Sequence, residues 1–177
     1  ILNKSKQLLR KVSLTESENL LKASKKALIL ECDASKTNKI PSSSVKLTVT
    51  SPPFLNIVNY AQDNWLRAWF NNIDLKTLAA KITMSKNLEE WSNKMRGVFA
   101  EIYRVSKKDG IVAFEVGEVK NGKINLEDSV IPIAEKSGFN ILEIMINSQN
   151  FTKTSNIWGI SNNQRGTNTN RIVLMKK

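Results

Sequence analysis

Apolar and polar positions along the chain follow two different periods. Val45–Thr50 alternates and is rich in β-branched residues, which predicts a strand that stops at Ser51-Pro52-Pro53, because prolines cannot donate to a ladder. Before it, the apolar run Ala27–Leu30 predicts a buried strand ending in Glu31-Cys32-Asp33-Ala34, with Asp33 carried to its C-terminal end. After it the period becomes helical. Val58, Ala61, Trp65, Trp69 and Ile73 share one face; Leu88, Trp91, Met95, Val98, Ile102 and Val105 share another, with Ser85 as the expected N-cap. The second helix should end at Lys107-Lys108-Asp109-Gly110 and lead into a continuous apolar strand, Ile111–Val116. A helix over Leu126–Lys136, stopped by Gly138, precedes strands at Phe139–Ile146 and Arg171–Met175. Lys- and Ser-rich residues 1–26, with scattered leucines, predict one or two exposed helices.

Strand, strand, helices, strand, helix, strand, strand is the order of an α/β layer whose sheet is mostly parallel. The last two strands have no helix between them and should pair antiparallel at one edge. A basic helical segment over 1–26 and a second part over 27–177 are the expected divisions.

Charge sharpens this picture. The 177 residues carry 27 Lys and Arg against 16 Asp and Glu, a formal net charge of +11. The excess lies at the two ends: 10 basic and 4 acidic residues in 1–50, and 5 basic and none acidic in 151–177. A neutral middle with basic ends suits a polyanionic partner. With no His, imidazole catalysis and His metal clusters are excluded, and the single Cys32 excludes an internal disulfide. Cys32 itself reads as a buried structural thiol, in keeping with a reducing, cytoplasmic setting. No apolar run reaches the ~20 residues of a membrane span. Trp65, Trp69 and Trp91 read as core on their helix faces.

In open α/β sheets ligands bind beyond the carboxyl ends of the strands, where Asp33, Ser51-Pro52-Pro53-Phe54 and Glu115/Glu118 should fall. Two successive prolines stiffen the chain, so a rigid carbonyl and the Ser51 hydroxyl can accept hydrogen bonds from an amino group. Phe54 offers a flat face for a planar ring. Together they suit an aromatic base bearing an exocyclic amine. Glu115 and Glu118 read equally as strand-end solvation. Tyr60, Asp63 and Asn64 read either as pocket lining or as ordinary helix polarity. The polar stretch 149–170 has Lys153, Arg165 and, just beyond it, Arg171, with no acid, and at ~20 residues is long for a plain connection.

Thr50-Ser51-Pro52-Pro53-Phe54, preceded by Val45–Val49 and the Asp33 strand, resembles motif IV of the DNA amino-methyltransferases, which are S-adenosylmethionine-dependent. The Ser-Pro-Pro-aromatic form goes with the cytosine-N4 group, whereas the adenine enzymes usually carry Asp or Asn in place of Ser51. Tyr103-Arg104-Val105, Lys108-Asp109-Gly110 and Ile111–Val116 are similar to the family's next helix, turn and strand. Gly166-Thr167-Asn168-Thr169-Asn170-Arg171 resembles its closing hairpin near the base pocket. The resemblance implies a Rossmann-like class I methyltransferase sheet, mostly parallel with an antiparallel C-terminal edge hairpin. It implies methyl transfer to a flipped base of DNA in a modification-type enzyme, cytosine N4 first. Adenine N6, an RNA base, or a partner subunit without catalysis are the alternatives. By the same carry-over Ser51, Pro52, Pro53 and Phe54 are the catalytic set, and Asp33 binds the cofactor's adenine amine. Lys153, Arg165, Thr167, Asn168 and Arg171 are the expected nucleic-acid contacts. The family's Gly-x-Gly turn is absent, since the seven glycines stand apart. The expectation is therefore a catalytic portion, N-terminally incomplete, whose cofactor-binding half lies upstream or in a separate chain.

Overall fold

The computed structural model describes residues 10–53, 60–81, 85, 87–119, 124–148 and 169–177. They divide into two units, Ile1–Cys32 and Asp33–Lys177. The first unit carries helix α1, Leu14–Ser24, which buries none of its side chains. Its start is a capping box: the Ser13 hydroxyl accepts from the Glu16 amide, and the Glu16 carboxylate accepts from the Ser13 amide. An exposed helix was expected here, but the strand over Ala27–Leu30 does not form. The Ala27 amide still donates to Ser24 in the helix exit, while Leu28 and Ile29 stand 61% and 96% exposed. Among the described residues this run pairs with no strand, so it gains no ladder bonds. Cys32 is exposed as well, against the expectation of a buried thiol.

The second unit is built on a sheet. Its elements are β1 (Val45–Thr50), α2 (Tyr60–Asp63), α3 (Trp65–Phe70), α4 (Leu75–Lys81), α5 (Leu88–Val105), β2 (Ser106–Val119), β3 (Ile124–Asn125), α6 (Glu127–Lys136), β4 (Asn140–Ser148) and β5 (Thr169–Lys176). The strand order is β1-β2-β5-β4, with β3 attached to β2. β1 and β2 are parallel, while β5 runs antiparallel to both its neighbours. Hence β1, β2 and β4 point one way and β5 is reversed between β2 and β4, with the β4–β5 pair at one edge as the sequence implied.

The core lies between the sheet and helices α5 and α6. Trp91, Phe99, Phe114, Leu126, Val130, Val173 and Met175 are fully buried there. The α5 face is the predicted one, with Phe99 added. Its N-cap is Asn87 rather than Ser85: the Asn87 side chain accepts from the Glu90 amide at 2.8 Å. The helix ends at Val105, and the expected turn survives as an irregularity inside β2. Val45 pairs with Ser106 but Leu47 with Ile111, so Lys107–Asp109 loop out, and Asp109 adopts φ 61°. α6 closes at Gly138, whose φ of 102° suits a residue without Cβ, and where a Cβ would lie 2.8 Å from the Tyr103 ring.

The apolar stripe Trp65–Ile73 does not become core. It breaks into α3 and a turn, with Trp65 55%, Trp69 69% and Ile73 49% exposed and only Ala68 buried on α3. Helical spacing supplied the face, but the short helices leave it without a partner among the described residues. Val58, which headed that stripe, lies outside the described residues.

Candidate functional site

The loop before β1 is held by a clamp on α5. Glu101 accepts from the Thr37 amide at 2.7 Å and the Thr37 hydroxyl at 2.6 Å. Arg104 donates to Glu101, to the Ile40 carbonyl at 3.0 Å and to the Ser42 hydroxyl at 2.9 Å. The Ser43 and Ser44 amides then bond to the carbonyls of Arg104 and Val105, the last residues of α5. β1 is thereby set in register before it begins. The Arg104 guanidinium, followed by the Thr37 hydroxyl, holds the Glu101 carboxyl down at about 2. That value is below the unfolded 4.5, so the clamp's stability is complete above about pH 4.5 and is lost as the pH falls toward 2. Glu101→Gln should flatten the acid-unfolding curve in that window; an unchanged curve would show that the clamp does not contribute.

β1 delivers Ser51-Pro52-Pro53 to the carboxyl edge of the sheet. Ser51 is exposed and the prolines are half-buried. The indole Nε1 of buried Trp91 donates to the Pro53 carbonyl at 2.9 Å, which leaves the Pro52 carbonyl and the Ser51 hydroxyl outside that bond. Phe54, the last member of the expected set, lies outside the described residues.

The same edge carries the roots of the polar stretch 149–168. β4 ends there at Ser148 and β5 begins at its partner Thr169, with Asn170 opposite Gly117 of β2. Two strand spacings, roughly 10 Å, separate β5 from β1. Lys153, Arg165, Thr167 and Asn168 lie outside the described residues. Arg171 lies within them: its guanidinium pairs with Glu127 at the start of α6, and the two side chains are 17% and 4% exposed. Glu115 sits half-buried within β2. Asp63 is exposed and Asn64 half-buried.

Asp33 is exposed, and its Oδ1 accepts from the Ser35 hydroxyl at 2.6 Å and the Ser35 amide at 2.8 Å. These bonds, the hydroxyl first, lower its carboxyl below the usual range and keep it ionised. Because the strand before it is absent, Asp33 is placed by this turn and not by the sheet. A cleft of about 370 Å³ is lined by β1, α5 and the loop before β1, with Thr37, Ile40, Leu47, Thr48, Val98 and Glu101 among its walls. Among the described residues β1 pairs with β2 alone. No group of His, Cys, Asp and Glu among them could hold a metal ion, and no described helix is long and apolar enough to cross a membrane.

Sequence reasoning did not foresee Trp91 as a partner of the proline motif, nor the Glu101–Arg104 clamp. The i, i+3 spacing of Glu101 and Arg104 was visible, but Thr37, their common partner, is more than sixty residues away.

Among curated proteins none matches the chain. A solved candidate DNA modification methylase of Thermus thermophilus is 20% identical, with a TM-score of 0.49 over 82% of this chain and 50% of its own. Its complex with S-adenosyl-L-methionine is 19% identical, with a TM-score of 0.49 over 82% and 53%. PvuII DNA methyltransferase, cytosine-N4-specific, is 16% identical, with a TM-score of 0.48 over 77% and 44%. The chain thus spans about half the length of these structures. The sequence model described as DNA methylase, of the N6/N4 type, matches residues 45–176, about three quarters of the chain, from the first residue of β1 to the last of β5. The protein belongs to the N6/N4 DNA methylase family.

Proposed function

We propose that the protein is the catalytic portion of an S-adenosylmethionine-dependent DNA methyltransferase acting on the exocyclic amine of a flipped base, cytosine N4 in the first place. The observation that carries this reading is the presentation of Ser51 and Pro52 at the carboxyl edge, with the next carbonyl, that of Pro53, already occupied by Trp91. An exocyclic amine is a poor nucleophile because its lone pair is delocalised into the ring. Hydrogen bonds donated by its two N–H groups to the Ser51 hydroxyl and the Pro52 carbonyl draw the nitrogen toward a tetrahedral form with a freer lone pair, and one of these protons passes to solvent once the nitrogen is methylated. No covalent intermediate and no imidazole is needed; alignment does most of the work. Stacking on Phe54 offsets part of the unpairing cost of a few kcal/mol. Lys153, Arg165, Thr167 and Asn168, on the stretch rooted at the same edge, hold the DNA, and Arg171 anchors its return through Glu127.

The cofactor supplies the electrophilic methyl group. For that group the described residues fit in part. Asp33 is ionised and suits an adenine amino group, but no run of glycine backbone is present for the methionine end. We infer that a further segment, carried upstream or by a separate chain, completes the cradle. Calorimetry of S-adenosylmethionine with the 177-residue chain should then give weak or undetectable binding; tight binding would overturn the need for that segment. The second reading, a subunit that binds nucleic acid without catalysis, draws on the same missing glycines. Transfer of tritiated methyl from S-adenosylmethionine to duplex DNA by the protein with the completing segment present tests the proposed reaction. Label appearing only in RNA would refute the DNA substrate, and no transfer would favour the second reading.

A further inference from the structure

Beyond Thr50, the last ladder partner of β2, the chain enters two prolines whose rings fix φ and which donate no amide hydrogen. At the two prolines only ψ remains free, and ψ of Pro52 sets where its carbonyl points. From the helix side, the indole N–H of Trp91 reaches this stretch and takes the Pro53 carbonyl. Trp91 is 0% exposed, so its N–H must find an acceptor inside the protein, and the motif supplies it. The helix turn that carries Trp91 is itself fixed: Asn87 caps it, and the Trp91 amide bonds to the Asn87 carbonyl at 3.2 Å.

We propose that Trp91 is a positioning residue for the methyl acceptor. By holding the Pro53 carbonyl it fixes the peptide plane after Pro53. With φ fixed at both prolines and β1 held in its ladder as far as Thr50, anchoring the Pro53 carbonyl narrows the ψ angles open to the stretch and with them the directions open to the Pro52 carbonyl. It also withdraws the Pro53 carbonyl as a competing acceptor, so that the amine meets one defined pair, the Ser51 hydroxyl and the Pro52 carbonyl. This rests on the base-binding reading of the motif given above.

The test compares Trp91→Phe, which keeps an aromatic ring and removes the donor, with Phe99→Leu. Phe99 is buried in the same core, and its side chain carries no hydrogen-bond donor. Trp91→Phe should lower kcat for methyl transfer by about tenfold to a hundredfold, the cost of a small misplacement, with KM for DNA changed less than about twofold. Phe99→Leu, at a comparable loss of thermal stability, should leave kcat near the wild-type value. In NMR spectra Trp91→Phe should shift the Pro53 carbonyl carbon and the Ser51 amide, and Phe99→Leu should not. Equal losses of kcat in the two variants, or an unmoved Pro53 carbonyl in Trp91→Phe, would overturn the proposal. If the wild-type protein transfers no methyl even with the completing segment present, the functional reading fails while the carbonyl shift still decides whether Trp91 sets the motif.

Discussion

Ser51→Ala should reduce methyl transfer by about a hundredfold to a thousandfold, the usual cost of deleting one preorganised hydrogen-bond partner at a reacting centre. The fold should be indifferent to it. Ser51 is exposed and lies beyond the last ladder pair of β1, away from the buried core. Thermal unfolding of the variant should therefore coincide with that of the wild type. The loss should fall on kcat, because the acceptor matters most when the amine nitrogen leaves the plane of the ring. Phe54→Ala should also abolish transfer, by removing the stacking face. Full activity in both variants would overturn the assignment of the pocket.

The largest stability effect is expected at Arg171. Its guanidinium pairs with Glu127, whose carboxylate is almost entirely enclosed and whose Oε2 has no hydrogen-bond partner among the described residues. Removing one member of a buried pair leaves an uncompensated charge and costs about 3–5 kcal/mol. Arg171→Ala should lower the melting temperature on the order of 10 °C. The double variant Glu127→Leu with Arg171→Met, apolar on both sides, should regain most of that, because the two charges then leave together. A single variant that melts within a degree or two of the wild type would show that the pair is not stabilising. The pair joins α6 to β5 just after the stretch 149–168, so Arg171→Ala should also weaken DNA binding, through the lost anchor and not through a lost phosphate contact.

The legible part of the fold was the part where local pattern and tertiary role agree. β1 stops where two prolines remove its donors, and α5 shows its apolar face because that face packs on the sheet. Gly138 marks the end of α6 because the chain needs a positive φ there. Failures came where pattern and partner separate. Ala27–Leu30 has the composition of a buried strand but, among the described residues, no strand pairs with it. Trp65 and Trp69 have helical spacing but sit on a helix too short to press them against a core. The cap of α5 falls two residues later because Asn87, in extended backbone, accepts from the Glu90 amide, while the Ser85 hydroxyl is buried with no hydrogen-bond partner among the described residues.

The site divides in the same way. Ser51-Pro52-Pro53 could be read as an amine acceptor from stiffness and chemistry, since prolines act through their own covalent geometry. What holds it could not. Trp91 lies 38 residues beyond Pro53 and Thr37 precedes Glu101 by 64, and both contacts depend on how α5 lies on the sheet. Asp33 was recognised by its position in the family motif, yet its present placement depends on its own hydroxyl-bearing neighbour, Ser35.

The central claim is that Ser51 and Pro52 receive the exocyclic amine of cytosine. Its most direct test is digestion of duplex DNA after reaction with the protein and isotopically labelled S-adenosylmethionine, followed by mass spectrometry of the nucleosides. The account predicts label in N4-methylcytosine, lost in Ser51→Ala. Label in N6-methyladenine, or in N4-methylcytosine undiminished by Ser51→Ala, would contradict it.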